Sequence, residues 1–332
     1  MKMQEKIDFV VLWVDGSDRD WLAKKASYQP DRTADVSAVR YRDWDMFRYW
    51  FRSVEKYAPW VNRIHLVTDD QIPSWLNCTH PKLHLVSHRD FIPEEDLPLF
   101  NSSAIEIGIG AIPELSDHFV YFNDDVFLNA PITSEYYFRC GVPVDMAGLT
   151  RRSEVKTTFA CIVQNDNRLI NKYFDKKTVI RENFFKWFRP TYGKTFLRTL
   201  LYCRGKEFRG FVIPHMSIAY RKSDLSRVWE KESELLADTQ THHFRCETDL
   251  SHFVYRFWRL CEGDFYPQKN RGYYISLHDR RSAERAAALI RGGRVPEFCL
   301  NDNWEKDDFQ AAKELLTRAF EEKLPEKSSF EI

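Results

Sequence analysis

Paired carboxylates at the end of an apolar run are the first chemistry this sequence offers: Phe122-Asn123-Asp124-Asp125 follows directly on the stretch that begins at His118. Adjacent carboxylates repel one another. A divalent cation, Mg2+ or Mn2+, shared with a diphosphate would relieve that repulsion and offset charge on a leaving group. A solvated turn is the plainer reading of the same residues, and the position straight after a buried run favours the metal. The second candidate is Trp13-Val14-Asp15-Gly16, at the end of the first apolar run. Open α/β sheets bind ligands beyond the carboxyl ends of their strands, which puts Asp15 in the crevice, with Gly16 permitting a tight turn and close backbone approach. Asp15, Ser17 or Asp18 serves equally well as the cap of a helix that begins near Trp21.

Further along, Phe211-Val212-Ile213-Pro214-His215-Met216 presents a histidine, a natural proton acceptor near neutral pH and equally a common core residue. Arg221-Lys222-Ser223-Asp224 follows it. The segment His242-His243-Phe244-Arg245-Cys246-Glu247-Thr248-Asp249 predicts a helix start, where Arg245 would clamp a phosphate. His242, His243 and Cys246 lack a further ligand at finger-like spacing, which argues against zinc. Cys299-Leu300-Asn301-Asp302-Asn303 supplies oxygen ligands suited to magnesium or calcium, and equally the start of a final helix.

The elements that must position these residues are partly readable. Apolar runs at 7–14, 61–67, 83–86 and 118–122 are short and rich in branched and aromatic residues, and predict strands. Between the first two, Phe47, Trp50, Phe51 and Val54 recur at helical spacing before Pro59. A second helix is expected from Ser102 to Ile112, capped by Asn101 or Ser102 and closed by Pro113. Strand and helix thus alternate, which predicts an α/β fold with parallel strands. From about 150 to 211 the composition changes, interleaving lysine and arginine with phenylalanine, tyrosine and tryptophan. The reading is a mostly helical basic and aromatic insertion, 151–207, between two parts of one catalytic core, 1–150 and 208–332. A last amphipathic helix is expected over 306–322.

Composition sets the outer limits. The 332 residues are 43% hydrophobic and 30% charged, as in a globular enzyme, and the 49 Lys plus Arg balance the 49 Asp plus Glu, so no global field recruits nucleic acid. The seven cysteines contain no Cys-x-x-Cys pair and are expected as reduced thiols. The early apolar run, Phe9–Val14, breaks at an aspartate and reads as neither signal peptide nor membrane span, so a cytoplasmic location is expected.

Taken in order, IDFVVLWVDGSD, RYRDWDMFRYWFRSVEKYAPWVNRIHLVTDDQIPSWLN with FNSSAIE and FVYFNDDVFL, IPHMSIAYRKS with HHFRCETDLS, and FCLNDN with the closing SSFEI resemble the conserved regions of the Stealth proteins. That family includes bacterial capsule phosphotransferases and the animal lysosomal-enzyme GlcNAc-1-phosphotransferase. The resemblance implies a fold similar to GT-A nucleotide-sugar enzymes and a divalent metal. It also implies a UDP-sugar donor, UDP-GlcNAc favoured, whose hexose-1-phosphate passes to a polysaccharide or lipid-linked glycan hydroxyl with release of UMP. It places Trp13, Asp15, Gly16 and Arg221 at the donor, and gives the metal to Asp124, Asp125 and Asp302. His215 becomes the general base, and Arg245 meets the transferred phosphate. Asn101 and Glu106 would line the donor or acceptor pocket. One departure stands out: a proline is expected two residues after the histidine, where this chain has Ser217. Rival readings are a conventional glycosyltransferase releasing UDP, and a non-catalytic polysaccharide-binding protein. The insertion suits a grip on the acceptor or contact with an anionic membrane, or else a helical hairpin that buries Phe184, Phe185, Trp187 and Phe188 against the sheet.

Overall fold

A computed structural model describes residues 6–29, 42, 44–151, 154 and 157–332. Arg40, Tyr41 and Asp43 of the second motif, and Arg152, Ser153, Val155 and Lys156 at the start of the insertion, lie outside the described residues. The first half of the chain runs β1 (Ile7–Leu12), α1 (Arg19–Tyr28), α2 (Phe47–Tyr57), β2 (Ile64–Thr68), β3 (Leu83–Ser87), α3 (Ser102–Gly108), β4 (His118–Asn123), β5 (Val126–Leu128), β6 (Phe138–Arg139) and β7 (Val142–Asp145). Helices α4 (Thr158–Tyr173), α5 (Lys176–Glu182), α6 (Phe184–Trp187) and α7 (Lys194–Tyr202) follow. The remainder is β8 (Ile218–Arg221), α8 (Lys222–Gln240), α9 (Phe253–Glu262), β9 (Tyr266–Pro267), β10 (Tyr273–Leu277), α10 (Arg280–Gly292), β11 (Glu297–Asp302) and α11 (Phe309–Lys323).

The central sheet has the order β3-β2-β1-β4-β8. Four strands are parallel as the alternation predicts, but β8 runs antiparallel at the edge, pairing His118 with Arg221 and Tyr121 with Ile218. The chain steps outward from β1 to β3 and then returns to the other flank of β1. The switch point between β1 and β4 opens a crevice at their carboxyl ends, where such sheets take ligands.

Alternating side chains bury both faces of the sheet. Phe9, Val11, Ile64, Leu66, Val120 and Phe122 enter one core with α2, α10 and α11, while Val10, Val67, Phe119 and Tyr121 enter another with α3, α8 and α9. Helix α2 joins the first core through Phe47, Trp50, Phe51 and Val54, all at most 6% exposed. Its spacing of i, i+3, i+4 and i+7 is the stripe a sheet-packed helix requires. A small sheet, β10-β11-β5, packs into the first core through Phe127, Ile275 and Phe298.

The insertion is helical as expected, yet it does not bury the aromatic set of a simple hairpin. Trp187 is fully buried, packed near Phe208 and Phe211, whereas Phe184 and Phe185 are exposed and Phe188 is half-buried. All seven cysteines are free thiols. Among the described residues, no helix is long and apolar enough to cross a membrane.

Candidate active site

The last residue pair of the β1–β4 ladder is Leu12 with Asn123, so the chain leaves both strands side by side into the crevice. Asp125 is the residue that this geometry makes unusual. Its main-chain oxygen accepts from Leu300 N (2.9 Å), and Cys299 Sγ donates to its Oδ2 (3.3 Å). Its Oδ1 is closed off from solvent and has no hydrogen-bond partner. Burial raises the carboxyl's pKa, and the hydrogen bonds from Cys299 and from its own backbone offset only part of that. A carboxylate oxygen orphaned in this way, beside the exposed Asp124, is what a divalent oxygen-ligated cation fits. Asp302 is placed differently. Arg42 engages both of its oxygens at 2.8 Å and Trp304 N donates to one of them, so it stands as an ion-pair partner and not as an open ligand. The run around it is strand β11 and not a helix start; α11 begins later, after Asp308.

Across the crevice stands His215. Its backbone φ is +46°, a left-handed conformation uncommon outside glycine, and it turns the ring outward between Phe159 of α4 and Tyr274 of β10. Ring centroids lie 6.4 Å from Phe159 and 5.2 Å from Tyr274. Desolvation by the crevice walls lowers the imidazole's pKa, which favours the neutral, proton-accepting form. The charge of Asp125 acts on the hydroxyl of Tyr274, so this tyrosine links the carboxylate and histidine sides of the site. At the proline position anticipated from the family, Ser217 donates to the Glu297 carboxylate and meets Tyr137 OH at 3.0 Å.

A third group lies along the α3 wall. Asn101 caps α3, accepting from Ser103 N, and its amide donates to Asp249 Oδ2 (2.8 Å). Glu106, 8% exposed, accepts from Tyr121 OH (2.9 Å) and approaches His252 Nε2 at 3.7 Å. Burial pushes its pKa to about 7, against the pull of the Arg245 charge. The same burial drives His252 down to about 3. Arg245 does not open a helix, since α9 begins only at Phe253; it sits in the preceding loop and donates to Ser102 Oγ (2.5 Å). His242, Cys246 and Asp249 bring their donor atoms within 4.8 Å of one another. Asp249 is already satisfied by Cys246 N, Asn101 and His242, which makes it the staple of this loop.

Asp15 lies in the turn after β1, its Oδ1 accepting from Ser17 N (2.8 Å) and Ser17 Oγ (2.6 Å). Asp18 and not Asp15 caps α1, so one of the two alternative uses of Asp15 falls away. Three expected donor residues are placed elsewhere or act otherwise. The Trp13 ring is 9% exposed and stacks on Phe47 at 5.6 Å, a packing role. Gly16 has no left-handed φ, so the turn does not depend on glycine's conformational freedom. Arg221 pairs with His118 at the start of β4, roughly 16 Å of strand from the crevice, and its guanidinium is held by Asp224 and Asp264. The antiparallel run of β8 is the cause: it carries His215 toward the crevice and Arg221 away from it. Tyr121, Phe159, His252 and Tyr274 escaped the sequence reading; only the aromatic enrichment of their segments hinted at them.

The family's conserved region 1 matches residues 5–32 and its conserved region 2 matches residues 40–144, under the description Stealth protein. A capsular polysaccharide phosphotransferase, WcwK of Streptococcus pneumoniae, is 37% identical over all of this chain and 99% of its own. Exopolysaccharide phosphotransferase cps2G of Lactiplantibacillus plantarum is 39% identical over 98% of this chain and 96% of its own. Receptor polysaccharide phosphotransferase WefC of Streptococcus gordonii is 37% identical over 99% and 100%. Among solved structures, galactosyltransferase LgtC aligns over 97% of this chain and 98% of its own at 11% identity and a TM-score of 0.40, too distant to argue from. With this extent of agreement along its whole length, the chain belongs to the Stealth family.

Proposed function

We propose that the protein is a sugar-1-phosphate transferase of capsule or exopolysaccharide synthesis, moving hexose-1-phosphate, GlcNAc-1-phosphate favoured, from a UDP-sugar to a glycan hydroxyl and releasing UMP. The observation that carries this reading is the orphaned Asp125 oxygen at the switch point, with Tyr274, which packs on His215, close enough to feel its charge. Asp125 with Asp124 would hold Mg2+ or Mn2+, which when bound supplies charge compensation to a diphosphate. His215, neutral and outward-facing, takes the proton of the acceptor hydroxyl as that oxygen attacks the phosphorus. Arg245 lies close enough to Glu106 to act on its charge, and from the same wall it meets the equatorial oxygens of the transferred phosphate. Asp15 lies on the donor side and Asn101 fixes the loop that carries Arg245. Asp302 acts through Arg42, bracing the strand beside Asp125. The core would be a GT-A-like nucleotide-sugar scaffold, and a UDP-sugar donor sets the reaction in the cytoplasm.

Incubating the purified chain with a panel of UDP-sugars, Mg2+ or Mn2+, and a soluble glycan acceptor should release UMP and form a phosphodiester. Asp125→Ala should abolish turnover. Release of UDP instead of UMP would mark a conventional glycosyltransferase, and turnover that survives both chelator and the Asp125 substitution would remove the metal from the reading.

A further inference from the structure

The insertion presents a surface that the reaction leaves unexplained. From Asn183 to Lys206 the chain carries six lysines and arginines and no aspartate or glutamate. In the same segment five large apolar residues face solvent: Phe184 at 49% exposure, Phe185 at 83%, Leu197 at 64%, Leu200 at 45% and Leu201 at 67%. The leucines stand at i, i+3 and i+4 on α7 and form one stripe. Each helix turns a single residue fully inward, Trp187 from α6 and Thr199 from α7, and so keeps its apolar remainder outward.

These elements form one braced unit. Lys176 Nζ, at the start of α5, donates to the carbonyls of Tyr202 (2.8 Å), Arg204 (3.1 Å) and Glu207 (3.2 Å), fastening α5 to the end of α7. Tyr192 OH donates to Lys186 O (2.9 Å), fastening the turn before α7 to α6. Lys186 itself is spent on Gly263 O, whereas Lys194, Arg198, Arg204 and Lys206 are exposed beside the stripe. An apolar face alone fits many partners. An apolar face whose own segment carries positive charge and no acid, with Glu182 and Glu207 only at its ends, fits the interface of an anionic bilayer: leucine and phenylalanine enter the headgroup and acyl boundary while lysine and arginine meet lipid phosphates.

We propose that α6 and α7 dock the protein on an anionic phospholipid surface as a peripheral, non-spanning contact. This inference does not rest on the reaction assigned above.

The test is cosedimentation of the full chain with sucrose-loaded vesicles. The expected result is binding to vesicles containing phosphatidylglycerol, little binding to pure phosphatidylcholine, and weakening at about 0.5 M salt. Two variant sets probe the two halves of the surface, Phe185→Ser with Leu197→Ser and Leu201→Ser, and Lys194→Ser with Arg198→Ser and Arg204→Ser. Each should lower vesicle affinity by more than about tenfold. All six positions are exposed, so thermal unfolding and turnover on a water-soluble acceptor should stay at wild-type values. Failure to bind anionic vesicles, or wild-type binding by either variant set, overturns the proposal. So does a dimer that the serine substitutions dissociate without vesicles, which assigns the face to a second copy. A raised KM for the soluble acceptor overturns it too, in favour of a glycan grip.

Discussion

At the scale of single residues, His215 joins two features that belong together in a proton acceptor. Its strained backbone turns the imidazole out of the core, and desolvation by the crevice walls lowers its pKa. With His215 as the proposed base the neutral form would be the active one, and rate would be lost as pH falls through that lowered value. The acid limb of kcat/KM should therefore lie below histidine's ordinary 6.5. His215→Ala should reduce kcat by about 10²–10⁴-fold with little change in donor affinity. Wild-type turnover in that variant, or an acid limb unmoved by it, would take the base away from this residue. Asp125 could be named as a candidate because it follows a predicted strand, whereas His215 rested on the family resemblance, since a lone histidine among apolar residues reads equally as a core group. Tyr274 and Phe159 could not be named. Their meaning comes from chain segments far apart in sequence that fold over the same histidine, and no local pattern carries that.

Among elements, the parallel strands β1 to β4 could be read from their short apolar runs, α2 and α11 from helical spacing, and α3 from its cap and closing proline. Strand β11 could not, because its Asn-Asp-Asn end looks like a helix cap until Asn301 and Asp302 are seen pairing with Ser276 and Leu277 of β10. Nor could the role of α9, whose Arg256 and Arg259 are each 1% exposed and converge on Asp145, tying α9 to β7, with Arg259 also reaching Asp224 of α8. A charged residue on an apolar helix face reads as solvent-facing until its buried partners are known. Strand β11 carries its own pH dependence. Glu297 is buried, accepts from Ser217 and Tyr136, and has its pKa pushed to about 7. A carboxyl raised above its ordinary value of 4.5 contributes stability that is present below that value and lost as pH climbs toward about 7. Glu297→Gln, which cannot ionise, should therefore gain in melting temperature over wild type between about pH 5 and pH 8. A difference that stays flat across that range would show that Glu297 titrates normally.

For the molecule as a whole, closure depends on contacts between segments far apart in the chain. Phe330, 3% exposed, packs on Phe51 and His80, while Glu331 pairs with the buried Arg52 and bridges Leu76. These contacts strap the closing residues across α2 and the loop before β3. Phe330→Ala should cost about 3–5 kcal/mol in denaturant unfolding, and a loss under about 1 kcal/mol would show the strap to be passive. The site has the same dependence on distant segments. Asp125 is held by Leu300 and Cys299, so β5 emerges from the ribosome long before the strand that covers it. At about 5–20 residues per second, the interval between the two is roughly 10–35 s. During that time an apolar strand edge waits unpaired, a template for association with other nascent chains. The surroundings of the carboxylate proposed to hold the metal stay incomplete over the same interval, so the proposed site would assemble only once β11 has been made.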